Sequence, residues 1–309
     1  MKTLSLIFLT LLLLNQSIAH AEFPEKPITI VVYTAPGGLI DVTARFVANI
    51  AKKKYTDVPV IVQNKKGAGG VVATTYTLSK PSDGYTVLGI TSSLISKMIK
   101  SGQEDKLDQL HFLSRMVVDY ESLIVNPKKG LADFSELLQS AQNMPGSQIW
   151  VGPDAGGTDH IFAKKFWATA NINAKWIPYR SGGEAVAALL GGHGQVYVGN
   201  PQDVKGRPDL KVAAVAAPER LDKFPEAPTF AELGFDRLTG ESLWRGFAVK
   251  ADTPDSVVKA LEELFRNVSQ DPEWIKFCKN GDVLPVFDIG QEFKQIVYDQ
   301  REQDRKALM

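Results

Sequence analysis

Several short stretches of the chain gather the residue types that handle a small anion. In "VVYTAPGGLIDVTAR", Pro36-Gly37-Gly38 is followed by Leu39, Ile40 and a lone Asp41. Glycine admits φ > 0 and lets another group approach the main chain. A helix starting near Ile40 presents unpaired N–H groups at a partially positive end, and the combination is an anion cradle. The plain alternative is a tight turn, with Asp41 favourably placed in the first helical turn. Thr91-Ser92-Ser93 closes another apolar run, where hydroxyls either donate to a carboxylate or cap the next helix. In "VGPDAGGTDHIF", Gly157, Thr158, Asp159 and His160 repeat the first design. His160 is either an acid–base group, a hydrogen-bond donor or a structural histidine. Tyr179, Arg180 and Gly182 precede a further helical run, Asn200 ends "YVGN", and Arg245 sits in "ESLWRGF". An arginine there is a bidentate carboxylate clamp or an ion-pair partner.

Reactive constellations are missing from this inventory. The chain contains no H-E-x-x-H, G-x-S-x-G or C-x-x-C. It has neither the G-x-G-x-x-G fingerprint nor the phosphate loop G-x-x-x-x-G-K-[ST]. Asp41 and Asp159 are the acids that could be paired in catalysis, and no cysteine or second histidine near His160 suggests a metal. Glycine, hydroxyl and amide groups suit holding an anion better than transforming it. No catalytic residue, cofactor or metal is expected.

Composition narrows the partners. The chain has 309 residues, with 35 Lys and Arg against 35 Asp and Glu. That balance gives no electrostatic grip on nucleic acid or an anionic membrane, so any anion must be held by local geometry. Lys2, the apolar run Leu4 to Leu14 and the sequence Ala19-His20-Ala21 form a secretory signal pattern, with cleavage expected after Ala21. Export and the single cysteine, Cys278, fit a periplasm rather than a disulfide-stapled module. Cys278 lies in an apolar helical pattern and is expected to be a buried structural thiol.

The elements that position these residues alternate. Ile28–Tyr33, Val58–Val62 and Tyr85–Thr91 have the makings of strands, separated by helical runs at Asp41–Lys54 and Val71–Ser79. A second set follows, with strands at Ser122–Val125, Gln148–Gly152, Lys175–Pro178, Gln195–Gly199 and Lys211–Ala216. Helices are expected at Asp133–Asn143, Asp159–Ala170 and Glu184–Leu190. After a strand at Gly246–Val249, the remainder is helical, at Pro254–Ser269, Pro272–Lys279 and Gln291–Lys306. This predicts an α/β protein of two lobes, one from residues 22–120 and 247–309 and the other from 121–246. Crossovers are expected near Asp119–Glu121 and Trp244–Phe247. Strand ends of two such lobes can face one cleft.

An ordered set of motifs then points to a family. "APGGLIDVTAR", "NKKGAGGVVA", "PSDGYTVLG", "GGTDHI", "SGGEAVAALLGG", "APTFAELGFD" and "WRGF" span nearly the whole exported chain. In sequence and order they resemble the solute-binding proteins of tripartite tricarboxylate transporters, the Bug or TctC-like family. The resemblance implies a hinged, type II periplasmic binding fold, a carboxylate ligand and a membrane permease as partner, with the binding protein a monomer. It implies that Gly37-Gly38 holds a carboxylate, that Ser92, Ser93, Gly157, Thr158, His160 and Gly182 lie in matching cleft loops, and that Asn200 and Arg245 do too. Leu39, Ile40 and Arg180 depart from the family pattern. They make room for an apolar ligand segment or a second anionic end. Two other classes stay open: a periplasmic enzyme using Asp41 and His160, and a sensory binding component.

Overall fold

The computed structural model describes residues 23–281 and 283–308. The expected signal segment and its cleavage site lie outside the described residues. The first sheet contains β1 (Ile28–Val32), β2 (Val60–Asn64), β3 (Thr86–Thr91), β4 (Leu110–Tyr120), β10 (Ser242–Lys250) and β11 (Leu284–Ile289), in the order β11-β4-β10-β3-β1-β2. β1 is parallel to β2 and β3, whereas β10 runs antiparallel to β3 and β4. The second sheet contains β5 (Ser122–Val125), β6 (Ile149–Pro153), β7 (Lys175–Tyr179), β8 (Val196–Gly199) and β9 (Lys211–Val215), in the order β7-β6-β8-β5-β9.

Strand chemistry explains both sheets. β1 is almost continuously apolar because helices cover both of its faces. In the second sheet the two-residue period is explicit. Leu123, Val125, Val196 and Val198 enter one core cluster, and the intervening Ile124 and Tyr197 enter another on the opposite face. Phe162, Phe166 and Phe230 fill the first of these clusters, and burial of each such ring contributes roughly 1.5–3 kcal/mol.

Helices follow the strands. They are α1 (Leu39–Lys54), α2 (Val71–Leu78), α3 (Ser92–Lys100), α4 (Phe134–Asn143), α5 (Thr158–Ala170), α6 (Gly182–Gly191), α7 (Asp255–Gln270), α8 (Pro272–Gly281) and α9 (Gly290–Leu308). Cys278 is buried on α8, and burial pushes its thiol up to about 12, as suits an inert packing residue.

β4 and β11 exceed the sequence expectation, and the helix anticipated after Ser93 takes its bounds as α3. The first crossover falls within the expected Asp119–Glu121, and the return crossover shifts. Only Glu121 separates β4 from β5, so the chain changes sheet within one residue. The return strand starts at Ser242, not Gly246, which places residues 242–246 in the first sheet instead of the second lobe. Gly246 marks a bulge within β10, not its start. The register shifts between Arg245 and Gly246, and a Cβ there would meet the Phe293 ring at 2.6 Å.

Candidate functional site

Four α-helices of the two sheets begin at one cavity of about 420 Å³. Gly38, Leu39 and Ile40 bring the start of α1, and Thr91 and Ser93 that of α3. Gly157 and Asp159 bring the start of α5, and Ser181, Gly182 and Gly183 that of α6. Hollows of about 480 and 540 Å³ exist elsewhere, but neither gathers helix starts in this way. Each helix start carries roughly half a positive charge. At α3 and α6 a side chain caps the first turn, Thr91 accepting from the Leu94 N–H and Ser181 from the Glu184 N–H. At α1 and α5 the N-cap is glycine, and no side chain caps the first turn. Apart from the Asp159 N–H, which its own carboxyl occupies, their early N–H groups are therefore left to a guest.

The two glycine turns share one geometry. Gly37 has φ 84° and Gly156 has φ 82°, each followed by an extended glycine that caps the helix. Each left-handed glycine donates its N–H four residues ahead. Gly37 donates to Asp41 Oδ2 at 2.9 Å, and Gly156 donates to His160 Nδ1, also at 2.9 Å. Asp41 also accepts from Asn64 Nδ2 at 2.8 Å and from Arg45 Nε at 3.0 Å. Burial opposes its ionisation, but the bonds from Arg45, Gly37 and Asn64 outweigh burial and hold the carboxyl below its ordinary range. His160 stacks on Trp176 at 4.7 Å between ring centroids. Burial, with Lys164 and Lys100 nearby, lowers its pKa to about 4. The neutral ring is what the geometry requires, since only an unprotonated Nδ1 accepts.

Of the expected residues, Gly37, Gly38, Leu39, Ile40, Thr91, Ser93, Gly157, Gly182 and Asn200 line the cavity. Pro36, Asp41, Ser92, Thr158, His160, Tyr179, Arg180 and Arg245 do not. Asp41 and His160 brace the turns from behind. Thr158 Oγ1 lies 3.1 Å from Ser92 Oγ and 3.0 Å from Ser93 Oγ, so these hydroxyls join the two sheets beside the cavity. Arg180 is solvent-exposed and faces Glu184 at 3.8 Å. Arg245 is 3% exposed and donates to Asp119 Oδ2 at 3.2 Å. Gln202 donates to the same oxygen. Burial pushes Asp119 up to about 8 despite Arg245. Arg245 is thus a core partner at the sheet crossover and not a cavity clamp.

Other lining residues had escaped the sequence reading. Lys97 enters one turn beyond Ser93, on the helix that Thr91 caps. It pairs with Asp154 at 2.8 Å across the two sheets. Asp203 accepts from the Tyr197 hydroxyl at 2.7 Å and from the Asn200 N–H at 3.0 Å. The spacing Asn200…Asp203 is a helix-start pattern that was legible in the sequence. Tyr33, Thr34, Pro153 and Leu243 complete much of the wall.

The family model for the tripartite tricarboxylate transporter family receptor matches residues 43–309. The chain belongs to this family. Protein BugT of Bordetella pertussis is 31% identical over 244 residues, covering 76% of this chain and 74% of BugT. An R. palustris protein solved with adipate superposes with a TM-score of 0.81 at 18% identity, covering 93% of this chain and 97% of the other. MatC from Rhodopseudomonas palustris, with bound malate, gives 0.76 at 18% identity, covering 93% and 100%. At such identities the likeness is one of fold alone, an α/β fold with two sheets; the receptor role comes from the family match. Among the described residues, no helix is long and apolar enough to cross a membrane.

Proposed function

We propose that the cavity captures an organic carboxylate in the periplasm and that the loaded receptor delivers it to the membrane subunits of a tripartite transporter. The single observation that supports this most is the convergence of four helix N-termini, two of them capped only by glycine. Dipoles already aligned need little reorganisation when a charge arrives. The turn at Gly37-Gly38 takes one carboxylate through main-chain N–H groups, and Ser93, the α6 start and Lys97 complete a polar wall. Leu39, Ile40 and Leu243 offer an apolar wall for the carbon skeleton. Each charge-assisted bond is worth roughly 1.5–3 kcal/mol, so a handful, less the cost of association, gives binding of about micromolar strength.

The protein acts as a monomer, by closure and without bond chemistry. A ligand touching both lobes binds the closed form better and shifts the population towards it. The enzymatic alternative loses its acid–base pair: Asp41 is engaged by Arg45, Gly37 and Asn64, and His160 by Gly156. A thermal-shift screen over organic acids tests the reading, because a ligand bound by the folded state raises the melting temperature. Carboxylates should raise it and matched amides or alcohols should not. A panel of mono-, di- and tricarboxylates without any effect would end the proposal.

A further inference from the structure

Asp159 is the discordant group in a cavity built for an anion. It is 5% exposed and lines the cavity at the second position of α5. Its carboxylate takes its own main-chain N–H, and no other group of the described residues donates to it within hydrogen-bond distance. A carboxylate offers about four acceptor sites, so most of its capacity is unused. Lys97, the cation of the cavity wall, is already engaged by Asp154 at 2.8 Å. Asp203 adds a further acid, although Tyr197 and Asn200 satisfy it. The wall thus carries three carboxyl groups and one ammonium. A ligand that is purely anionic meets like charge on the α5 side and favourable N–H groups on the α1 side.

We infer that the ligand is zwitterionic, an amino acid whose carboxylate rests on the α1 turn and whose ammonium is received by Asp159. This deepens the carboxylate reading and rests on it. The ammonium supplies the donor that Asp159 lacks. Burial, partly offset by its own N–H, pushes Asp159 up to about 7, and a cation beside it holds the ionised form. The equivalent place in the first turn is Ile40, an apolar residue, so the two ends of the cavity are chemically unlike. That polarity orients a ligand with unlike ends.

The test uses the full exported protein and pairs of acids sharing one skeleton, aspartate with succinate and glutamate with glutarate, by titration calorimetry. The amino member of at least one pair should bind at least about tenfold tighter than its partner, the scale of one charge-assisted hydrogen bond. Asp159→Asn should erase that preference or invert it. Equal or tighter binding of the des-amino members overturns the inference and leaves the carboxylate reading standing. An undiminished preference in Asp159→Asn overturns it too. If no carboxylate of a broad panel binds, both fall. The pairwise preference of the unaltered protein decides the matter even where the variant folds poorly.

Discussion

The Gly37-Gly38 turn of the first sheet and the Gly156-Gly157 turn of the second are the same backbone device carrying opposite electrostatics. Residue by residue, Gly37 matches Gly156, Ile40 matches Asp159, and Asp41 matches His160. In the first turn the brace is an ionised aspartate saturated with donors, and the residue beside it is apolar. In the second the brace is a neutral imidazole, and the residue beside it is a carboxyl short of donors. A charge is stable in a buried turn only when the chain supplies its partners. Where the chain withholds them, as at Asp159, the inferred ammonium would supply them.

Valine substitutions should separate the turns most sharply. At Gly38 an added Cβ meets Thr34 Cβ and Oγ1 at 2.7 Å, whereas at Gly157 the nearest atom is Asp154 Cβ at 3.9 Å. Gly38→Val should lose ligand response and melting temperature together. Gly157→Val should lose affinity by at least about a hundredfold, roughly 2.7 kcal/mol, while melting near the parent. Parental affinity in Gly157→Val would remove the second turn from the site.

Next comes the contrast between braces. Asp41→Ala removes several charge-assisted bonds and should cost about 3 kcal/mol in urea denaturation. His160→Ala removes one neutral acceptor and a stacking partner, and should cost about 1–2 kcal/mol. Equal costs would show that the two braces are not the different devices described.

The pH dependence should then set Asp159 apart from the two braces, which share one sign. Asp41 has a lowered folded pKa, so its contribution is present above the ordinary carboxyl value and is lost as pH falls through the lowered one. His160, lowered to about 4 from 6.5, likewise contributes above pH 6.5 and loses that contribution on descent towards 4. Asp159, raised to about 7 from 3.8, contributes at low pH and loses its contribution as pH rises through 7. Asp159→Asn should therefore gain stability over the parent between pH 4 and 7, on the order of 1–2 kcal/mol by pH 8. Chemical denaturation across that range reads the difference, and a gap independent of pH would contradict it.

The smallest effect belongs to the hydroxyl bridge. Thr158→Val should cost about 1 kcal/mol, because it removes the partner shared by Ser92 and Ser93 without stranding a charge. Arg245→Ala belongs to no turn. It removes one of the two donors to Asp119, Gln202 being the other, and should cost about 1–3 kcal/mol in urea denaturation.

The sequence by itself determined the periodic elements, the glycine turns between them, the export pattern and the family. Apolar spacing and turn residues act over a few positions, and those signals are written locally. It also placed Gly37, Gly38, Gly157, Gly182 and Asn200 at strand ends, which the cavity gathers. What it left open was which polar side chains find partners. Arg245 and Asp119 are 126 positions apart, and Asp41 and Asn64 are 23 apart. Only the folded sheets bring such groups within hydrogen-bond reach. The same packing turned Arg245 from a clamp into core, brought Lys97 into the wall on the helix after Ser93, and left Asp159 facing the cavity with no donor but its own main-chain N–H. Partnership in a low-dielectric interior is a property of three-dimensional neighbours, and it decides whether a charged residue serves the fold or the ligand.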